Sequence, residues 1–426
     1  MGEYPPSAAT EGESDIDDRR DPSPIVPRRV GLVGLSAVLA GAMALSMTPG
    51  PIIGILSRFF IDELGLTRTE IGAVATFHAF AMMLTSIPLG MLADRLSGRY
   101  TQVLMLLFVF LGLLTMAFSW DFWSLLAFAG IAALPAAGAN SATNNIIVQN
   151  VPAGSRGWIT GIKQSGVQIG TLAAGLTLPV TAARLGWRTA LVLASLVALV
   201  GIAATLAIVP SGRGAWTPAR DAGGRGGRLP GAVRWLSAYG VTMGIGVGAY
   251  IAFVPLYAQE ELGMGVALAG TVIAVSGASG ALWRVLWGRI AERAGHPTVP
   301  LLAIGALSAG AFIATWVAAY TTPYLIWVGA ALVGMSTGSW MSVGMMAAIM
   351  LSEPQQTGQS TASIVLGFAL GLTIGPVVFG WTVDTFGTYD LPWAGLIVNF
   401  AAAITMMLVW RFRVRAAEET VVGHAT

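Results

Sequence analysis

Twelve apolar stretches, each long enough to cross a lipid bilayer, restrict the fold of this chain more than any other feature. A membrane-crossing helix needs about 20 mostly apolar residues, and glycine, proline and charge clusters separate the stretches. Because lipid offers no hydrogen-bond partners, each span must satisfy its own backbone groups, and we predict an all-α membrane protein. The predicted spans are residues 30–57, 71–93, 101–118, 122–149, 158–182, 189–209, 235–257, 268–290, 298–320, 323–351, 361–383 and 393–410.

The composition excludes most other classes of protein. Of 426 residues, 55% are hydrophobic and only 10% are charged, and the mean hydropathy is +0.72. No ordinary water-soluble globule combines this length with so little charge. The 23 basic and 21 acidic residues lie mostly between the apolar stretches and form no basic stripe, so we expect no nucleic-acid binding. The absence of cysteine excludes disulfides, thiol catalysis and cysteine-ligated metal.

Charged and flexible segments divide the chain into two bundles of six spans, at 30–210 and 235–410. Residues 1–29 lack the apolar core of a secretory signal and are predicted to form a disordered cytoplasmic tail, with a second cytoplasmic tail at 411–426. Residues 211–234, rich in glycine, arginine and proline, are predicted to be a flexible linker. Basic flanks stay in the cytoplasm, which predicts a plasma-membrane protein with both termini inside. The arginines on the opposite side are Arg58, Arg68, Arg184 and Arg188.

The two halves repeat one another in sequence. At one constant offset, the first half matches the second at Gly72 and Gly270, Gly90 and Gly288, Asp94 and Glu292, and Arg95 and Arg293. At a slightly longer offset, a further glycine series matches: Gly157, Gly166, Gly170 and Gly186 with Gly358, Gly367, Gly371 and Gly387. Two repeated six-helix bundles are typical of transporters that hold a solute between the bundles, near the bilayer midplane.

The loop after the second span carries a family signature. Its sequence GMLADRLSGR (90–99) resembles the G-x-x-x-D-R-x-x-G-R loop of the major facilitator superfamily, and GRIAERAGH (288–296) is its counterpart after the eighth span. The resemblance implies two pseudo-symmetric six-helix bundles that carry a small solute by alternating access, and we expect a monomer. It also implies that the loops act as cytoplasmic gates, the alternative being that their charges only anchor topology. The implied gating residues are Gly90, Asp94, Arg95, Arg99, Gly288, Glu292 and Arg293.

Two cations lie inside the predicted spans, where charge is costly and marks a functional candidate. They are Lys163 in the fifth span and Arg284 in the eighth, and neither is repeated, since Ile364 and Ser86 occupy the matching positions. The family resemblance implies that these two spans are neighbours between the bundles, which would set both cations at similar depth in one cleft. An anionic solute would offset their charge. Alternatively, they reach the cytoplasmic surface or pair with Asp94, Glu292 or Glu353.

The R-x-x-W-G pattern of Arg284, Trp287 and Gly288 is similar to the eighth span of the oxalate/formate antiporter and monocarboxylate transporter branches. In those branches an arginine engages the substrate carboxylate. Two departures argue against oxalate itself: the eleventh span has no lysine, and Gly280 lies where an aspartate would precede the arginine.

Several side chains without a permanent charge are further candidates for solute contact. His78 could relay protons or bond a neighbouring helix, and the amide side chains could hold a solute or join helices. Tyr250 and Trp340 are candidates for the cavity wall or for packing. The amides, spaced one helical turn apart in pairs, are Asn140, Asn144, Gln164 and Gln168.

No enzymatic chemistry is predicted. The chain lacks a phosphate-binding G-x-x-x-x-G-K loop and metal-ligand spacing, so we expect no cofactor and no ATP-driven transport. No acidic residue lies mid-span in the first, fourth, seventh or tenth span, which favours exchange or facilitated diffusion, with a counter-anion or a proton as coupling partner. The sequence therefore predicts a secondary transporter of a small organic anion. The alternatives are an exporter of hydrophobic drugs or metabolites and, further, a non-transporting membrane receptor.

Overall fold

The computed structural model describes residues 31–211, 231–294, 296–352 and 356–423. The regular structure in these ranges is helical, and the predicted amino-terminal tail and most of the linker lie outside them. The helices are α1 (Leu32–Met47), α2 (Pro49–Ile55), α3 (Ser57–Leu64), α4 (Arg68–Arg95), α5 (Gly98–Ala117), α6 (Phe122–Asn150), α7 (Arg156–Leu185), α8 (Trp187–Ile208), α9 (Gly231–Glu260), α10 (Val266–Arg293), α11 (Thr298–Val317), α12 (Leu325–Met335), α13 (Trp340–Met350), α14 (Thr357–Phe386) and α15 (Asp390–Gly423).

The prediction of an all-α protein with twelve spans is confirmed. Within the described ranges, 11 helical segments are long and apolar enough to cross a membrane, and α1 with α2 makes the twelfth. The first span is bent by 47° between α1 and α2. Pro49 and Pro51 follow the bend, and proline cannot donate the hydrogen bond that would continue a helix.

The tenth span, expected to be continuous, is broken between α12 and α13. Side chains of α10 bond carbonyl oxygens in the last turns of α12, before the break: Ser279 donates to Ala331 (2.6 Å) and Trp287 to Met335 (2.6 Å). An irregular backbone at this depth is tolerated because a neighbouring helix supplies the missing partners. The last helix also continues past the predicted end at residue 410, to Gly423.

The bundle has two ends, which we name by the linker. At the linker end, α8 finishes and α9 starts, and α4 also finishes there, since Asn145 of α6 donates to the Ala93 carbonyl (2.9 Å). At the far end, Arg188 at the start of α8 pairs with Glu63 at the end of α3. These two ends fix the direction of every helix described below.

The second half is held together by glycines on two facing helices. Gly244 and Gly248 of α9 lie against the α14 backbone, and Gly367 and Gly371 of α14 lie against the α9 backbone. A Cβ atom at Gly371 would clash with the Val241 carbonyl oxygen and lie 2.8 Å from the Gly244 Cα atom. Small residues at this spacing let helix backbones touch in lipid.

The two halves touch through glycines on the far side of the bundle. Gly54 of α2 lies against the α9 backbone, Gly72 of α4 against α14, and Gly175 of α7 against Gly270 of α10. Toward the linker end of α7 and α10, no described atom lies within 4 Å of the Cβ position of Gly157, Gly161 or Gly288. Among the described residues, the glycine contacts between the halves thus lie toward the far end, and α7 and α10 part toward the linker end; we call the space between them there the cleft.

Candidate solute-binding site

The cleft begins where α7 of the first half and α10 of the second half part. Of the glycine contacts between them, the one nearest the linker end is that of Gly280 with the Gln168 side chain, whose Nε2 lies 3.1 Å from the glycine's Cβ position. One helical turn further toward the linker end, Gln164 lies below Gln168 and Arg284 lies below Gly280. Residues four apart share a helix face, so Gln164 and Arg284 face the same opening from opposite halves.

Arg284 is the charged group on the second half's side of this opening. Its Nε and Nη2 atoms both approach the Gly338 carbonyl oxygen, in the break of the tenth span, at 3.4 Å. This distance is long for a hydrogen bond that a cation donates. The side chain is half-buried. Among the ion pairs of the described residues none involves Arg284, and Glu292 is exposed, while Glu353 lies outside the described residues. Among the described residues, its guanidinium therefore keeps donors that an anion could accept from.

Lys163 lies at a similar depth but is turned away from the cleft. Lys163 is five residues from Gln168, or about 7.5 Å along α7, and Arg284 is four residues from Gly280, or about 6 Å along α10. Measured from the contact between Gln168 and Gly280, the two cations therefore lie at nearly the same depth. The Lys163 side chain is 0% exposed. Its Nζ donates to Thr143 Oγ1 (2.9 Å) and Asn144 Oδ1 (2.5 Å) on α6. The sequence analysis expected both cations to face one cleft. In the structure the Lys163 ammonium is buried against α6, and only the Arg284 guanidinium is left to face the cleft.

Amide side chains form the first half's side of the opening. Gln164 Nε2 donates to Asn140 Oδ1 at 3.3 Å, and Asn144 accepts from Lys163. Asn144 is exposed, and Asn140 and Gln164 are half-buried. Gln168 is buried against α10. Four predicted amides are therefore brought together with Lys163, and three of them reach the opening.

The remaining predicted contacts lie in the packed interior. His78 Nδ1 is 3.1 Å from the Ala129 carbonyl oxygen, and its Nε2 is 3.3 Å from the Cβ position of Gly50, next to the bend of the first span. Tyr250 packs edge-on against Phe312, and Trp340 lies between Tyr239 and Phe368; both side chains are buried. Within the described ranges, no cluster of three or more His, Cys, Asp or Glu side chains could hold a metal ion.

The predicted gating residues lie at the open, linker end. A Cβ atom at Gly90 would lie 3.7 Å from the Ser141 hydroxyl oxygen. Arg99 Nη2 donates to the Leu206 carbonyl oxygen (2.7 Å), which belongs to the same half. Arg95, Glu292 and Arg293 are exposed, Gly288 borders the cleft, and the Asp94 side chain is outside the described set. No ion pair among the described residues joins the halves at this end.

A dense group of contacts joins the halves at the far end. Glu260 of α9 accepts from Arg68 Nη2 (2.9 Å), Arg58 Nη1 (3.4 Å) and the Tyr389 hydroxyl (2.6 Å). Asp384 of α14 accepts from the Arg68 N–H (3.3 Å) and from the N–H and hydroxyl of Thr69 (both 2.6 Å). Burial and the Glu260 carboxylate raise the pKa of Tyr389, which keeps its hydroxyl protonated as a donor. A cavity of about 480 Å³ opens beside Arg58, Arg68 and Glu260.

The sequence analysis did not identify this far-end group. A signal was present, because every arginine on the far side belongs to the first half, while the far-side loops of the second half carry Glu260, Glu261, Asp384 and Asp390 and no basic residue. The far side of the first half also carries acidic residues, but the second half has no cation of its own there, so its carboxylates find cationic partners only across the contact between halves.

Comparison with known proteins places this geometry in context. A family model described as Major Facilitator Superfamily matches residues 30–364. Among solved structures, the chain is similar to a bacterial homolog of the human lysosomal transporter Spinster in an inward-facing, occupied conformation (17% identity, TM-score 0.70, 88% of this chain and 95% of that one). The unoccupied inward-facing form of that homolog is also similar (18% identity, TM-score 0.69, 88% of this chain and 94% of that one). A mutant of the nucleoside transporter NupG is similar at 13% identity (TM-score 0.73, 88% and 99%). No curated protein matches the sequence significantly.

Proposed function

The chain belongs to the major facilitator superfamily, and from that premise we propose that it is a secondary transporter of a small organic anion of the carboxylate class, working by alternating access. The observation that carries the proposal is the contact of Gly280, one turn from Arg284, with Gln168 of the other half, from which we infer that Arg284 lies opposite the amides of α6 and α7. A guanidinium offers the forked donors that bind a carboxylate through two hydrogen bonds. A solute bound there contacts both halves, as alternating access requires.

Electrostatics supports an anion over a neutral solute. An unpaired cation at membrane depth costs several kcal/mol, and the described hydrogen-bond partner of Arg284 is the carbonyl oxygen of Gly338, with no described carboxylate. An anion entering the cleft offsets this cost, and neutral amide N–H groups opposite the arginine add hydrogen bonds without adding charge. The absence of acidic residues mid-span favours exchange, or a proton carried by the solute.

The side of entry follows from the distribution of arginine. The linker end carries most of the basic residues, which supports its assignment to the cytoplasm of a plasma-membrane protein. The cleft then opens to the cytoplasm, with both termini on that side. Asp94, Arg95 and Arg99, with Glu292 and Arg293, lie at the rim that must close when the solute passes to the other face.

Arg284→Ala is expected to reduce anion uptake by about tenfold or more, because the charge-assisted pair is lost. The measurement is counterflow of radiolabelled acetate, lactate and succinate in proteoliposomes, with Arg289→Ala, an exposed arginine of the same helix, as matched control. Uptake that resists Arg284→Ala contradicts the proposal and favours export of hydrophobic solutes. No flux of any solute favours a receptor.

A further inference from the structure

We propose that the first half binds the anion through the NH₂ groups of Asn144 and Asn140, and that Lys163 is a positioning residue that orients Asn144 from behind. The inference rests on the proposed function and specifies how the solute is recognised. It differs from the sequence expectation, in which Lys163 was itself a charge partner of the solute.

The chemistry of lysine fixes the orientation of Asn144. An ammonium group only donates, so the Asn144 atom that lies 2.5 Å from Lys163 Nζ must be the carbonyl oxygen. The NH₂ group of Asn144 therefore points away from Lys163. The side chain is exposed, and Nδ2 donates to no described group. The two N–H bonds of the Asn144 side chain therefore point toward the cleft, because its oxygen is held by Lys163.

Asn140 presents a second donor in the same direction. Its Oδ1 accepts from Gln164 Nε2, which leaves its own NH₂ group unoccupied among the described residues. Asn140 and Asn144 are one turn apart and share a face of α6. Two NH₂ groups about one helical pitch apart face the opening opposite Arg284, and such donors suit the oxygen atoms of a carboxylate or of a neighbouring hydroxyl or keto group.

The buried charge strengthens this arrangement without competing for the solute. Thr143 and Asn144 both bind the ammonium, and the low-dielectric surroundings strengthen these bonds and polarise the amide. The cleft itself then shows one open cation, Arg284, and neutral donors. This balance favours solutes with a single negative charge over those with two.

Asn144→Asp separates recognition from structure. The aspartate still accepts from Lys163, so thermal stability is expected to hold or rise, while the lost NH₂ group and the added negative charge raise the KM for lactate by about tenfold or more. Gln149→Glu, the same chemical change at an exposed position of α6, is the matched control with unchanged KM. An Asn144→Asp variant that keeps its KM overturns the inference, even where Arg284→Ala abolishes uptake and the proposed function stands.

A double-mutant cycle tests the role of Lys163. If Lys163 acts only through Asn144, the KM of Lys163→Met with Asn144→Ala equals that of Asn144→Ala alone. If the two effects multiply, Lys163 contacts the solute directly and the inference is wrong. Melting temperatures of all three variants show whether the fold is intact.

Independently, we infer that Glu260 and Asp384 form a latch that holds the far end closed. Each carboxylate belongs to the second half and binds groups of the first: Glu260 binds Arg58 and Arg68, and Asp384 binds the start of α4. The latch is thus an electrostatic contact between halves, separate from the solute site.

Asp384 completes a helix of the opposite half. The first N–H groups of a helix have no partner within it. In α4, Thr67 caps the N–H of Glu70, whereas the N–H groups of Arg68 and Thr69 donate to Asp384. Glu260 is only 11% exposed and is already surrounded by its donors. Opening the far end must break all these bonds, so the latch sets the balance between the two open states.

The latch is testable by spin labels, because the chain has no cysteine that would give background labelling. Labels at Trp123→Cys and Tyr324→Cys, exposed far-end positions of the two halves, report their separation by pulsed electron resonance. We expect Glu260→Gln with Asp384→Asn to add a longer-distance population. The control is Glu63→Gln, whose partner Arg188 lies in the same half. An unchanged distance distribution, or the same change in the control, overturns the latch.

Discussion

Replacing Gly371 by valine is expected to destabilise the second half by about 3 kcal/mol or more. The new side chain would meet the Val241 carbonyl oxygen, Ile245 N (2.7 Å) and Gly244 Cα (2.8 Å), all of them backbone atoms of α9. These backbone atoms cannot move away by changing a rotamer. A shift of the whole α9 helix is opposed on its other face, where the Cβ position of Gly246 is 2.9 Å from an atom of the Phe400 ring. The two helices must therefore separate.

The measurement is the apparent melting temperature of the purified protein in detergent, with an expected decrease of about 10 °C. Gly310→Val of α11 is the matched control, since no described atom lies within 4 Å of its Cβ position. Equal decreases in the two variants would show that loss of glycine, and not the contact between α9 and α14, is responsible.

Replacing Gly175 by valine should leave both halves folded and stop transport. Gly175 of α7 faces Gly270 of α10, and a Cβ atom there would lie 2.6 Å from the Gly270 carbonyl oxygen and 2.9 Å from Ala274 N. The contact joins separate halves, which can part without unfolding. We therefore expect the far end to be held open, with uptake reduced by about tenfold or more.

Proteoliposome uptake and the far-end spin-label distance together check this prediction. Gly310→Val of α11 is again the control, since no described atom lies within 4 Å of its Cβ position. A Gly175→Val protein that transports like the unaltered chain would mean that α7 and α10 do not need to close tightly at this point.

The spans were predictable because lipid allows few backbone arrangements, whereas their interruptions depend on neighbours. The residues Pro49-Gly50-Pro51 stand where the structure bends the first span, whereas Gly375-Pro376 in the eleventh span leaves α14 continuous. The break in the tenth span falls at Ser336-Thr337-Gly338-Ser339, a cluster of residues that weaken a helix, which the sequence analysis did not use. Trp287 and Ser279 of α10 bond carbonyl oxygens on the α12 side of this break.

The candidate site was predictable in membership and less so in geometry. Charge is rare inside these spans, so Arg284 and Lys163 were singled out by their type alone. The direction of a side chain is set by its hydrogen-bond partners, and Thr143 and Asn144 draw Lys163 away from the cleft. The far-end latch was missed because Arg68 and Glu260 are 192 residues apart, and no sequence spacing relates them.

Glycine at the contacts between halves has a consequence for the membrane as an insulator. At Gly54, Gly72 and Gly175 the far-end seal is main chain against main chain, with no rotatable group between. A contact made of long side chains changes as the side chains exchange rotamers, and water passes while it is open. At these three contacts no side chain has to change its rotamer, so we expect them to admit little water while the linker end is open.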